Sequence, residues 1–169
     1  MEFEEVLRNR RSIRKFKAAE ISDKLVGKIL ELANLSPSAG NLQARRVVVV
    51  KDKKTKEALA RKDNDFVSQA AVVFVICAVP KESEAEYAER GRNLYAVQDA
   101  TLFASYLQLA ATSLGLASCW VGAFDEEQVK KVLGLPEDLR PIAIIPVGYA
   151  AEEPRQSPRK SLNDISINK

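Results

Sequence analysis

The chain has 169 residues, of which 46% are hydrophobic and 29% charged, and we expect it to form one globular domain over residues 1–169. Its 26 basic residues exceed its 23 acidic residues by only three, a balance that disfavours a nucleic-acid partner. The chain has no histidine, which excludes Ser-His-Asp and Cys-His catalysis and removes the commonest metal ligand. We therefore expect no metal site, and any catalysis must use carboxylates, arginines, backbone groups or a cofactor.

The first half of the chain predicts helices that alternate with strands. Ser22 is a good N-cap, and the apolar residues after it follow helical spacing to about Asn34, before Ser36-Pro37 ends the helix. Consecutive apolar residues over Ala70–Val79 predict a strand that is covered on both faces. The other elements expected here are a short helix over Glu2–Arg8, a strand over Val47–Val50 and a surface helix over Lys53–Ala60.

The second half predicts one long helix over residues 84–114. Its small, uncharged residues permit close approach of another helix, so it is either a core element or half of a subunit interface. From Ala150 onward the chain is polar, so this tail is either disordered or packed on another surface, including that of a partner subunit. The remaining elements are a helix that Asp125 caps and that runs to about Leu133, and a strand over Ile142–Val147 whose proline requires a sheet edge or a bulge.

The cysteines and the N-terminus indicate a cytoplasmic protein. Cys77 and Cys119 match no metal-ligand spacing and lie beside apolar residues, as buried free thiols do. The acidic start, Met1–Glu5, has no apolar core of signal-peptide length. The uncharged stretch 100–124 contains polar residues and is interrupted at Gly115, so we expect no membrane span.

Basic residues cluster at both ends of the chain. Arg10, Arg11 and Arg14 are interleaved with Ser12, and Arg159-Lys160 lies near the C-terminus. Guanidinium groups and a hydroxyl at this spacing suit the planar, forked recognition of a phosphate. If the C-terminal pair folds back onto the first cluster, the two ends of the chain form an anion pocket. The alternative is a solvated basic loop.

A small, polar, turn-rich stretch lies between these clusters over residues 36–43, Ser-Pro-Ser-Ala-Gly-Asn-Leu-Gln. It is either a simple helix-to-strand turn, in which Gly40 and Asn41 take unusual backbone angles, or part of a ligand site. The glycine patterns of Rossmann and P-loop nucleotide sites are absent from the sequence.

Together these segments resemble the nitroreductase family of flavin enzymes. The order and spacing of the matching segments extend over nearly the whole chain, and the ordered set is more specific than any one motif. The segments are Arg10–Phe16, Ser36–Gln43, Gln98-Asp99, Leu114–Gly122, Pro146–Tyr149 and Arg159–Leu162.

The resemblance implies an α+β fold in which helices flank a mostly antiparallel sheet. It also implies an intertwined homodimer with exchanged C-terminal tails, the long helix at the dimer core and two FMN molecules at the subunit interface. One set of residues would hold the FMN phosphate, its ribityl chain and the pyrimidine edge: Arg10, Arg11, Ser12, Arg14, Arg159 and Lys160. A second set would approach the same flavin from the other subunit: Pro37, Ser38, Ala39 and Asn41. Backbone groups of Gly122 and Ala123 would lie near flavin N5, and Asn64 would approach the pyrimidine side.

The activity that the resemblance implies is that of an FMN-dependent oxidoreductase. NADH or NADPH would pass hydride to flavin N5 and leave before a nitroaromatic, a quinone or a related electrophile enters the same cleft. The flavin performs this chemistry, so no side chain is expected to act as a catalytic group. The alternatives are an FMN-binding redox or storage module with little turnover, a specialised family activity (dehalogenation, flavin breakdown or azoline oxidation), and a nucleic-acid-binding protein, for which only the arginine clusters argue.

Two departures from the family pattern concern the site. Many relatives have Pro-Trp where this chain has Ala44-Arg45, followed by Arg46, so a charged side chain replaces an aromatic one close to the site. The chain is also short for the family, and residues 81–92 leave little room for the helical segment that covers the site in larger members. The first departure bears on which acceptor is preferred, and the second leaves the flavin face either unusually open or covered by loops of the partner subunit.

Overall fold

The computed structural model describes residues 1–153 and 156–169 as helices packed around one sheet. The helices are α1 (Phe3–Asn9), α2 (Asp23–Ala33), α3 (Lys53–Leu59), α4 (Phe66–Gln69), α5 (Pro80–Arg90), α6 (Ala96–Ser113), α7 (Glu126–Leu133) and α8 (Leu162–Ile165). The strands are β1 (Arg45–Val50), β2 (Val72–Ala78), β3 (Ala117–Ser118) and β4 (Arg140–Gly148). They pair antiparallel in the order β1-β2-β4-β3, which confirms the α+β fold class.

Capping groups set the ends of two helices where the sequence predicts them. The Ser22 hydroxyl accepts a hydrogen bond from the Leu25 N–H at 3.3 Å and begins α2. The Asp125 carboxylate accepts one from the Gln128 N–H at 2.9 Å and begins α7. Gly134 ends α7 with a φ of 60°, in the left-handed region that glycine adopts without a steric penalty.

Strand β2 lies at the centre of the core, and every one of its residues is buried. Phe74 and Ile76 point to one face, where they pack with α2 and α6. Val73, Val75 and Cys77 point to the other face, where they pack with residues of α3, α4 and α7. The prediction of a strand covered on both faces is confirmed.

The long helix predicted over residues 84–114 is interrupted, so that prediction was wrong in part. The helix begins at Pro80, its backbone leaves helical geometry at Tyr87 and Ala88, and a π-helical turn over Gly91–Tyr95 leads into α6. Gly91 packs so closely on the Ser83 backbone that a Cβ there would collide with the Ser83 carbonyl. The sequence pattern does not indicate this contact, because small residues continue through the break between α5 and α6.

Pro146 lies in the inner strand β4, not at the sheet edge or bulge that the sequence predicts. Its carbonyl accepts a hydrogen bond from the Cys119 N–H at 3.3 Å, so the backbone groups of Pro146 face the β3 side. Because these groups point away from β2, the missing proline N–H removes no hydrogen bond from the ladder between β2 and β4.

The C-terminal tail leaves the sheet beside the N-terminal loop. Phe16 pairs with Ala150, and the Ala151 N–H donates to the Lys15 carbonyl at 2.9 Å. Beyond this point residues 156–169 are exposed, including the apolar side chains of Leu162 and Ile167. Within the described ranges, no helix is long and apolar enough to cross a lipid bilayer.

The buried Cys77 thiol predicts a loss of stability in alkali. Burial raises the pKa of this thiol from 9.0 to about 11, so the thiol loses its proton at a lower pH in the unfolded chain than in the folded protein. We therefore expect the free energy of unfolding to fall as pH rises from about 9 to about 11. Chemical denaturation across this range checks the effect, with Cys77→Val, which lacks the ionisable thiol, as the control. Equal pH slopes for the two proteins would contradict the prediction.

Candidate functional site

The basic loop after α1 is attached firmly to the end of the sheet. Ile13 and Phe16 are buried, the Ile13 N–H donates to the Ser118 carbonyl at 3.1 Å, and the Lys17 N–H donates to the Tyr149 carbonyl at 2.9 Å. Between these attachments the polar side chains stay at the surface: Arg10 and Arg11 are half-buried, and Ser12 and Arg14 are exposed. The loop is therefore held in one shape while its guanidinium groups remain open to a ligand.

The two ends of the chain come together at Arg10. Partial burial lowers the pKa of Arg10, and the nearby charges of Arg11 and Arg159 lower it further. Arg11 and Arg159 thus both lie within electrostatic range of Arg10, and Lys160 follows Arg159 in the exposed tail. Arg159 therefore lies near the first basic cluster, and repulsion between these cations and Arg10 is what a bound anion would relieve.

Cys119 lies buried at the floor of this basic cluster. Burial raises the pKa of its thiol, whereas Arg14, a hydrogen bond with Ser12 and Arg10 act in the opposite direction. At 1% exposure the sulfur is screened from solvent and serves as packing beneath the arginines.

Residues 36–44 form a tight turn between α2 and β1, which we call the acceptor turn. The turn contains a 3₁₀ segment over Ala39–Asn41. Three of its residues have a positive φ: 55° at Gly40, 57° at Asn41 and 53° at Gln43. The unusual angles predicted at Gly40 and Asn41 are observed, and Gln43 adds a third that the sequence does not indicate. Pro37 and Asn41 are exposed, and Ser38 and Ala39 are half-buried.

Asp99 holds the acceptor turn on both sides of its left-handed residues. Its carboxylate accepts hydrogen bonds from the Ala39 N–H at 2.9 Å and from the Ala44 N–H at 3.3 Å. Gln98-Asp99 is recognised from the sequence only as part of a family motif, and this role of Asp99 is missed. One signal does point to it: Asp99 is the single charged residue in the otherwise uncharged α6.

One protomer does not bring the acceptor turn and the basic cluster to the same place. The turn attaches to α6 at Asp99, whereas the strand under the basic cluster attaches at Gln108, whose side chain donates to the Ser118 hydroxyl at 3.2 Å. Nine residues of helix separate these points by about 14 Å along the axis. The two sets of predicted residues are therefore distinct surfaces of the protomer.

The remaining predicted residues lie elsewhere on the protomer. Gly122 and Ala123 are exposed just after Val121, which pairs with Ile144, and a Cβ on Gly122 would lie 3.2 Å from the indole nitrogen of Trp120. Asn64 is buried, and its side-chain oxygen accepts from the Arg61 N–H at 2.6 Å. That contact closes the turn before α4.

Arg45, expected as a charge close to the site, points into the protein. It is 6% exposed, and its guanidinium carbon lies 5.3 Å from the centroid of the Phe103 ring. Burial lowers its pKa, and Asp99 acts in the opposite direction. Arg46 is exposed and pairs with Glu82 at 2.5 Å, so it is Arg46 that carries charge to the surface here.

Comparison with known proteins gives one consistent result. The model of the nitroreductase family matches residues 7–63 and 58–149. A protein of Archaeoglobus fulgidus, provisionally named as an NADH dehydrogenase/NAD(P)H nitroreductase, is 35% identical over 152 residues, which are 85% of this chain and 83% of that protein. A nitroreductase family protein from Streptococcus pneumoniae superposes with a TM-score of 0.91 at 27% identity and covers 99% of this chain and 100% of its own. An FMN-dependent nitroreductase from Clostridium difficile superposes with a TM-score of 0.82 at 29% identity and covers 97% and 96%.

Proposed function

The chain belongs to the nitroreductase family, and from this premise we propose that it is an FMN-dependent NAD(P)H oxidoreductase that reduces nitroaromatics, quinones or related electrophiles. The single observation that carries the proposal is the cluster of Arg10, Arg11 and Arg159, whose mutual repulsion an FMN phosphate would relieve. The names of the relatives support the same cofactor and electron donor.

The residues of the basic cluster fit FMN in their chemistry. Arg10, Ser12, Arg159 and Lys160 would hold the phosphate and the ribityl chain, with Arg11 beside them, because guanidinium and hydroxyl donors pair well with phosphate oxygens. Arg14 would lie at the pyrimidine edge, where a positive charge stabilises the negative charge of a reduced flavin. When bound, FMN supplies the hydride-transfer chemistry that a chain without histidine lacks.

The other proposed contacts are made largely by backbone. Gly122 and Ala123 are small and exposed, so their backbone groups are open to the flavin near N5. Pro37, Ser38, Ala39 and Asn41 of the acceptor turn would reach the flavin of a second subunit. Asn64 stays a proposed contact of the pyrimidine side.

We infer a homodimer with exchanged C-terminal tails. In this dimer the acceptor turn of one subunit would approach the flavin held by the basic cluster of the other, and the two surfaces attach to α6 at separate points about 14 Å apart. Helix α6 leaves Leu102 and Tyr106 exposed, and the tail leaves Leu162 and Ile167 exposed, which supports burial of these side chains against a partner.

The visible spectrum of the purified protein tests the proposed function. We expect the protein to bind FMN and turn yellow, and anaerobic NADPH or NADH to bleach it. Double-reciprocal plots of the steady-state rate against nicotinamide concentration, made at several quinone concentrations, should give parallel lines. The reason is that the electron donor and the electron acceptor occupy the same cleft one after the other. A yellow protein that neither nicotinamide bleaches would identify the redox or storage module instead. A protein that binds no FMN would contradict both.

A further inference from the structure

The acceptor turn is a strained piece of backbone. Asn41 and Gln43 both adopt the left-handed region, which residues with a Cβ rarely enter. Gly40 lies so close to the Tyr87 hydroxyl that a Cβ would collide with it. Within the turn, the Gln43 N–H donates to the Ser38 hydroxyl at 3.0 Å. A turn of this kind persists only where surrounding contacts hold it in place.

Asp99 supplies such contacts from outside the turn. Its carboxylate is 1% exposed, and it accepts the Ala39 and Ala44 amide protons at 2.9 Å and 3.3 Å. These amides stand at the two ends of the left-handed segment, so one rigid group on α6 sets the distance between them. The contacts span 60 and 55 residues of sequence.

Arg45 lies where it can offset the buried charge of Asp99. A buried carboxylate is unfavourable unless it is hydrogen-bonded and near a positive charge. The Arg45 guanidinium is buried over Phe103 within electrostatic range of Asp99, and its Nη2 donates to the Ser36 carbonyl at 3.5 Å. It therefore contacts Ser36, the first residue of the acceptor turn, and lies within electrostatic range of the carboxylate that holds the rest.

We propose that Asp99 is a positioning residue that sets the shape of the acceptor turn for the flavin, with the buried Arg45 as its counter-charge. Neither side chain is proposed to touch the cofactor. The part that concerns FMN rests on the proposed function, whereas the part that concerns the shape of the turn does not.

The test uses Asp99→Asn in the full-length protein. The amide keeps the size of the side chain but turns one acceptor into a donor, so one of the two turn amides loses its partner. We expect FMN affinity to fall at least tenfold. We also expect the visible circular dichroism of the bound flavin, measured at saturating FMN, to change.

Leu107→Ala is the matched control. Leu107 is fully buried on the same helix, eight residues from Asp99, and the loss of its side chain lowers stability without removing a hydrogen bond of the acceptor turn. We expect this variant to keep the wild-type FMN affinity within twofold and the wild-type dichroism. If Leu107→Ala reproduced both effects of Asp99→Asn, the effects would belong to general destabilisation and the proposal would fail.

The role of Arg45 is tested by a double-mutant cycle. Arg45→Met keeps an apolar stem over Phe103 but removes the charge, and we expect a three- to tenfold loss of FMN affinity. Because the two charges offset each other, the double variant with Asp99→Asn should lose less affinity than the product of the two single losses. Independent effects would overturn the assignment of Arg45.

Amide hydrogen exchange separates this inference from the proposed function, since it needs no flavin. In the wild type we expect the Ala39 and Ala44 amides to exchange at least tenfold more slowly than that of Gly40. In Asp99→Asn at least one of them should exchange tenfold faster. If the Ala39 and Ala44 amides of the wild type were unprotected, the inference would be overturned even if the variant did not fold. A folded Asp99→Asn protein with an FMN affinity within twofold of wild type would also overturn it. A wild-type protein that binds no FMN but shows this exchange pattern would contradict the proposed function and leave the inference about the turn intact.

Discussion

Replacing Arg10 with alanine is expected to weaken FMN binding by about 10- to 100-fold, which corresponds to one lost hydrogen bond between charged groups. Arg10 is half-buried at the end of α1, and its neighbours Arg11 and Arg159 add positive charge to the same place. A phosphate bound there gains from all three charges, and the loss of the half-buried Arg10 removes a contact that water replaces poorly. Quenching of FMN fluorescence on titration with protein measures the affinity.

Riboflavin provides the control on the ligand side, because it lacks the phosphate. We expect Arg10→Ala to leave riboflavin affinity unchanged while it lowers FMN affinity. Arg8→Ala provides the control on the protein side, since Arg8 is exposed in α1, just before Arg10, and pairs with Glu4 at 2.6 Å. Equal losses for FMN and riboflavin, or an FMN affinity within twofold of wild type, would show that Arg10 does not bind the phosphate.

Removal of residues 154–169 is expected to weaken FMN binding more than about 100-fold, because the proposed phosphate ligands Arg159 and Lys160 are lost with the tail. It is also expected to convert the dimer to a monomer. The protomer itself should still fold, since residues 156–169 are exposed and make little contact with the core. Sedimentation velocity, FMN titration and thermal unfolding of the shortened protein measure the three effects separately.

Two full-length variants separate the two roles of the tail. Arg159→Ala with Lys160→Ala should lose FMN affinity and remain a dimer. Leu162→Asp with Ile167→Asp keeps the basic pair but replaces two exposed apolar side chains with charged ones. The dimer should weaken, because the carboxylates would have to be buried against the partner. A shortened protein that stays dimeric and binds FMN like the wild type would refute the exchange of tails.

Features with local causes were predictable from the sequence. The caps at Ser22 and Asp125 act on amides three residues away, and the buried strand around Phe74 is marked by its own run of apolar residues. The basic cluster at Arg10 and the polar turn at Gly40 were visible for the same reason. Their order along the chain was enough to indicate the family, which the comparisons confirm.

Only the tertiary structure decided how these pieces act on one another. The break before α6 depends on Gly91 packing against Ser83, and the inward position of Arg45 depends on Phe103 and Asp99. Asp99 reaches amides 60 and 55 residues away. Such contacts leave no periodic trace, because they arise from where the chain returns in space. The sequence alone thus determined most of the element types, the candidate ligand groups and the family, and folding decided which of those groups lie close to one another.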